Sequence, residues 1–278
     1  MPSSVKLKLF LSLIASLFST SALADIDEIY HISIGTNIER YNTEFSIDAS
    51  SQNTGTDIDL EDDLGYDSLI STLWFSGWYR VGDFHRLRMT YTPLIRSAQA
   101  TNNQDIEIDG TLIKAGATFS ARTETDILDV SYIYSAYKSS QLEMGISAGI
   151  YWLFYSTALQ ASGEIQFPNE DQPSSQRSYF SQQKIQAPMP LIGISGIYEI
   201  TPDWRANAAI RFLSLQLNDV DGRIISTEIG TEYYFNDNWG AGLSLTYFDL
   251  NVDVRNLLSN LSLGWAHNGV QIYATFKY

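Results

Sequence analysis

The sequence predicts an all-β protein: a closed antiparallel up-and-down transmembrane β-barrel of about ten strands, with twelve as the alternative. Three observations carry this. Residues 270–278 read V-Q-I-Y-A-T-F-K-Y, with Val270, Ile272, Ala274, Phe276 and Tyr278 on one parity and Gln271, Tyr273, Thr275 and Lys277 on the other. Strict period two marks a strand with one face in an apolar medium. Many other runs hold the same alternation for about ten residues or more, longer than the 5–6 usual in soluble sheets, which argues against a periplasmic β-sandwich. Beyond the first 24 residues, no run approaches the roughly 18 apolar residues of a spanning helix, and only helices and closed barrels satisfy every backbone group in lipid.

The chain divides into residues 1–24 and 25–278. Lys6 and Lys8 precede an apolar run over 9–18, and Ala22-Leu23-Ala24 is a small-x-small site before Asp25. That is the layout of a secretory signal peptide. Strands are then expected near 29–48, 68–81, 84–99, 117–137, 141–162, 187–200, 203–217, 223–235, 239–254 and 257–278, each read from alternation and bounded by turn residues. Pro93 lacks a ladder donor and marks a bulge or a locally unpaired site. Apolar parity switches between Tyr247 and Phe248, which predicts a β-bulge. His267-Asn268-Gly269 reads either as a bulge in one last strand or as an Asn-Gly hairpin between two. A single strand gives the even number and common end that single-chain barrels need. Long or polar loops are expected near 50–67, 100–116, 163–186, 218–222 and 253–256, interleaved with four tight turns.

The final stretch resembles the C-terminal signal of bacterial outer-membrane β-barrel proteins. The resemblance implies a place in the outer membrane of a Gram-negative bacterium, contact with outer-membrane lipid and lipopolysaccharide, and recognition by the barrel-assembly machinery through Phe276 and Tyr278. The 17 Tyr, 6 Trp and 13 Phe are enough to supply interfacial girdles. A net charge of −15 argues against nucleic acid, whose phosphates require a basic stripe. With no cysteine, disulfides and thiolate metal sites are excluded.

Inward parity falls to Glu39, Arg80, Arg86, Arg88, Asp129, Glu143, Glu199, Arg205, Arg211, Glu228 and Glu232. Such charges must pair in a narrow lumen. They form either a salt-bridge plug or a charged constriction that selects small solutes. Asp57, Asp59, Glu61, Asp62 and Asp63 form an acidic loop with a partial resemblance to a calcium loop, because hard cations take several carboxylate oxygens. Asp62 stands where the loop glycine belongs, and Ser68 where its last acid belongs. His31-Ile32-Ser33 resembles the His-x-Ser of outer-membrane lipid A deacylases, but at the wrong end of its strand. Protease-type barrels place an Asp/His pair near the outer rim, where neither His85 nor His267 is expected. No metal or cofactor is expected, since no phosphate-cradling glycine loop or metal-spacing cluster occurs. The expected function is that of a narrow porin-like channel or a structural surface protein with acidic extracellular loops. The alternatives are a lipid A or peptide hydrolase, and a loop-based binding or adhesion protein. Activity as an enzyme and oligomeric state are left open by the sequence.

Overall fold

The computed structural model describes residues 26–49, 55–62, 65–101, 105–108, 111–168, 174–217, 220–255 and 259–278; the expected signal peptide, 1–24, lies outside them. Among the described residues the chain forms strands β1 Tyr30–Ala49, β2 Gly55–Asp59, β3 Leu69–Arg80, β4 His85–Thr101, β5 Ile106–Ile108, β6 Thr111–Ile113, β7 Thr118–Lys138, β8 Leu142–Gln166, β9 Ser174–Thr201, β10 Trp204–Leu217, β11 Val220–Tyr234, β12 Trp239–Arg255 and β13 Ser259–Lys277. Ten of these close a ring in the order β1-β3-β4-β7-β8-β9-β10-β11-β12-β13, each strand antiparallel to the next, and β13 pairs back onto β1 from His31↔Lys277 to Ala49↔Ser259. The short β2, β5 and β6 sit at the end of the barrel away from the chain terminus.

Four tight connections, at 81–84, 139–141, 202–203 and 235–238, share one end with the C-terminus. This is the turn end. Asn236 builds one of these turns: its Oδ1 accepts from the N–H groups of Asn238 and Trp239, at 3.0 and 2.7 Å. The terminal carbonyl of Tyr278 accepts from Tyr30, and the Tyr30 ring stacks on Tyr278 and Phe276. The last aromatics therefore fasten the seam that closes the ring.

The outward face is apolar. Leu73, Met89, Ile146, Ile194, Leu245 and Ile272 are each more than half exposed. A continuous apolar belt of this kind is far larger than a soluble protein tolerates and matches the lipid face of a barrel. Tyr79, Phe84, Tyr134, Tyr198, Trp204, Tyr233 and Trp239 crowd the turn end of the belt, all exposed.

The expected bulges at 247–248 and 267–269, and the alternative Asn-Gly hairpin, are not present. β12 keeps one register against β11 and β13, and β13 keeps one register from end to end. The parity of the apolar residues changes because the interior changes. Phe248, Leu250 and Trp265 point inward, into an apolar layer, while Val270 and Ile272 point outward on the same unbroken strand. Gly269 is not a turn residue. It faces Glu39 across the β1–β13 ladder, where a Cβ would come within 2.6 Å of Glu39 Cα.

The expected loop at 163–186 is also corrected. β8 and β9, of 25 and 28 residues, run through most of it and leave only 167–173 between them. A bilayer needs only about 9–11 residues of tilted strand, so this hairpin stands well beyond any membrane.

The ring is not laddered over its whole height. β3 and β4 pair only from Arg80↔Arg86 to Phe75↔Tyr91, and β9 and β10 only up to Ile192↔Phe212. Each ladder stops next to a proline: Pro93 on β4, and Pro190 with Pro188 on β9. A proline has no N–H to offer a neighbour. β4 still pairs with β7 through Pro93↔Asp126, and β9 with β8 through Pro190↔Ile150. Above these points the four-strand wall β4-β7-β8-β9 is therefore separated from the rest by two seams. At the first seam the Thr72 hydroxyl donates to the Pro93 carbonyl in place of a ladder bond.

Candidate functional site

The interior is built in layers by alternate residues of the ten long strands. At the turn end lies an ion cluster. Arg80 reaches Glu143 at 2.8 Å and also donates to the Ile26 and Glu28 carbonyls, at 2.6 and 3.1 Å. Arg86 Nε is 3.2 Å from the same Glu143, which also accepts from Ser135. Arg205 pairs with Glu28 and with Glu199, the latter at 3.2 Å. Glu232 is 3.2 Å from His31 Nε2 and accepts from Tyr234 and Tyr273, at 2.6 and 3.2 Å. Lys277 lies over the Tyr234 ring at 4.1 Å. Ile26 and Glu28 are buried here, so the start of the described chain stops the barrel from below. Burial pushes the Glu28 carboxyl up, but the Arg205 guanidinium outweighs it and holds Glu28 below its usual range.

The middle layer is sparser. Arg88 meets Glu228 at 2.8 Å, and Arg211 pairs with Asp129, which also accepts from Ser131 at 2.6 Å. Two cavities, each of about 80 Å³, lie below and above the Arg88–Glu228 pair, and both residues line both cavities. His31, Arg86 and Glu232 line the lower one. Asn37, Glu39, Asp129, His267 and Gln271 line the upper one.

Above them the lumen is filled. Tyr41, Leu94, Ile127, Tyr151, Leu153, Leu191, Ile224, Phe248, Leu250 and Trp265 form one buried cluster. Each lies roughly ten residues from the turn end of its strand, or about 30 Å along it at the usual rise. Phe248 stacks on Tyr151 at 5.0 Å and meets Trp265 edge-on at 5.6 Å. His267 stacks against both Tyr41 and Phe248 at 5.0 Å. At the loop end Arg96 pairs with Glu61, donates to Thr43 at 3.2 Å, and lies over the Tyr66 ring at 4.9 Å.

Of the eleven charged residues read as inward, the structure brings Arg80 and Arg86 to Glu143, Arg205 to Glu199, Arg88 to Glu228 and Arg211 to Asp129, and sets Glu232 beside His31 and Glu39 beside His267. Arg96 and Lys277, which also carry inward parity, join this network, as do Glu28 and Glu61, which lie off the ring strands where parity assigns nothing. Glu61 turns inward and accepts from the Thr43 N–H and hydroxyl, at 2.8 and 3.1 Å. Asp59 accepts from the Asp62 N–H at 2.7 Å. Asp57 is on β2, and Asp63 lies outside the described residues. Glu61 is thus paired with Arg96. Phe276 meets Trp239 edge-on at 4.9 Å near the turn end. None of the three histidines reaches the loop-end rim: His31 and His85 are at the turn end, and His267 is beneath the aromatic layer.

No family model matches the chain, and no curated protein matches it in sequence. Solved structures do resemble it. The outer membrane protease OmpT from Escherichia coli superimposes with a TM-score of 0.55 at 13% identity, covering 94% of this chain and 99% of that one. The toluene transporter TodX of Pseudomonas putida gives 0.37 at 9% identity, covering 91% and 90%. The outer membrane protein OprG from Pseudomonas aeruginosa gives 0.34 at 10% identity, covering 90% and 95%. At such identities the likeness is one of fold, and this chain has the fold of outer-membrane β-barrels.

Proposed function

We propose that this chain, with the fold of an outer-membrane β-barrel, resides in the outer membrane as a closed surface protein and not as an open pore. The observation that carries the reading is the aromatic and aliphatic layer across the lumen. Tyr41, Tyr151, Phe248 and Trp265 are each at most 7% exposed, and a packed apolar layer of that kind excludes water and ions. The paired charges below hold the strands together, since a buried charge that loses its partner costs about 3–5 kcal/mol. On this reading the tight turns face the periplasm. The tall β7-β8-β9 wall and the acidic segment near 55–62 stand outside the cell, next to lipopolysaccharide. Phe276 and Tyr278 serve the barrel-assembly machinery.

Two features count against the enzyme readings. The histidines lie away from the rim, and the His31 ring is occupied by Glu232 and Thr275, at 3.2 and 2.8 Å. The test is conductance of the refolded protein in a planar bilayer. The closed reading expects no steady current steps from the native chain and steps from Phe248→Ala/Trp265→Ala. Discrete steps from the native chain would restore the narrow channel.

A further inference from the structure

The upper lumen chamber carries a charge that its neighbours do not balance. Around it, Arg88 is matched by Glu228, Arg211 by Asp129, and, nearer the mouth, Arg96 by Glu61. At the turn end, Arg80, Arg86, Arg205 and Lys277 are matched in number by Glu28, Glu143, Glu199 and Glu232. Glu39 is left over. It is 2% exposed and accepts hydrogen bonds from two neutral hydroxyls, Tyr41 at 2.8 Å and Thr246 at 2.9 Å. Neither supplies a positive charge.

His267 is the nearest group that could, with Nδ1 3.3 Å from Glu39 Oε1. Its geometry does not suit an imidazolium. Neither ring nitrogen makes an aligned hydrogen bond, and both are buried. A doubly protonated ring would leave its Nε2–H buried against Tyr41, Phe248 and Trp265 without an acceptor, a costly arrangement. A neutral ring with its one N–H on Nδ1, toward Glu39, turns only an acceptor nitrogen to these aromatics and so buries one unpaired donor fewer.

The same chamber also holds oxygens in want of a partner. Asn37 and Gln271, 3% and 5% exposed, sit opposite each other on β1 and β13 and line the cavity together with Glu39. Asn37 Oδ1 and Gln271 Oε1 are both buried without a hydrogen bond. Buried amide oxygens are almost always satisfied, so two orphans in one chamber point to a ligand that donates or is positive. Amide and carboxylate oxygens facing one small space, with one negative charge in excess, suit a hard cation.

We propose that this chamber binds a single monovalent cation, sodium or potassium, held by Glu39, Asn37 Oδ1 and Gln271 Oε1. A divalent ion does not fit the charge count. It would leave the chamber positive, and among the described residues no three His, Cys, Asp or Glu side chains are grouped to hold a metal. The volume of about 80 Å³ admits a small ion with one or two waters.

The test uses the folded barrel in detergent micelles at constant ionic strength. Urea unfolding midpoints are compared in sodium chloride, potassium chloride and N-methylglucamine chloride. The proposal expects the midpoint to rise saturably with sodium or potassium over N-methylglucamine. That dependence should vanish in Glu39→Gln and in Asn37→Leu/Gln271→Leu. Equal midpoints in all three salts overturn it, as does a dependence that survives in both variants. If the variants do not fold, thallium-205 resonance of thallous ion with the native barrel decides. A bound signal displaced by potassium supports the site, and none overturns it. A nitrogen-15 spectrum showing His267 doubly protonated at neutral pH would also overturn it.

Discussion

Gly269 faces Glu39 across the β1–β13 ladder, and the missing side chain of one makes room for the buried carboxylate of the other. A Cβ on Gly269 would lie 2.6 Å from Glu39 Cα and 2.7 Å from its Cγ. Removing a glycine from a strand ordinarily helps stability. Here the sign reverses. Gly269→Ala should cost about 1–3 kcal/mol through overpacking, read as a lower urea midpoint. Gly222→Ala on β11, where a Cβ would have nothing within 4 Å, is the control and should be neutral or slightly stabilising.

Glu143 is the hub of the turn-end cluster, fully buried and facing both Arg80 and Arg86. Glu143→Gln leaves two cations with one neutral partner and should cost about 3–5 kcal/mol. The Arg122–Glu124 pair at 3.0 Å is more than half exposed on both sides. Arg122→Ala should therefore shift unfolding by less than about 1 kcal/mol. Comparable losses in the two variants would argue that the interior is wetter than the packing implies.

The aromatic layer should reveal itself in two measurements at once. Truncating Phe248 and Trp265 together removes the stack that spans the lumen. Stability should fall by about 3–5 kcal/mol per side chain, as for other large-to-small core changes. Current steps should appear in a planar bilayer where the native chain gives none. Lost stability without conductance would place the seal lower, at the paired charges.

Acid should loosen the barrel from below. Arg205 holds the Glu28 carboxyl below its ordinary value of 4.5. A lowered folded-state pKa means that the contribution is complete above the unfolded value and is lost as pH falls through the folded one. The stability gap between the native chain and Glu28→Gln, measured from neutral pH downward, should hold steady above about pH 5 and close below it. A gap that does not change with pH would show that Glu28 acts through packing alone.

The sequence made the wall of this barrel legible and its filling much less so. Alternation is a property of one strand, so the long strands and the inward charges could be read residue by residue. The apolar layer is a property of ten strands at one height. Leu94-Ile95, Ile127-Leu128, Leu153-Phe154, Leu191-Ile192 and Ile224-Ile225 are apolar on both parities. Read singly, such doublets look like bulges, as at Phe248. Set side by side at about ten residues from each turn, they describe a layer. Glu28 and Glu61 were obscure for another reason. Neither lies on a ring strand, so no parity could assign them to the lumen.

The two proline seams also bear on how the molecule can vary. A tube whose staves are joined all round must keep them matched, because lengthening one strains every joint. Here the hoop is cut twice above the level of Pro93 and Pro190, so the tall wall can grow, shrink or take an insert at its crest without disturbing the staves opposite. The base fixes the shape, and the crest is free to change.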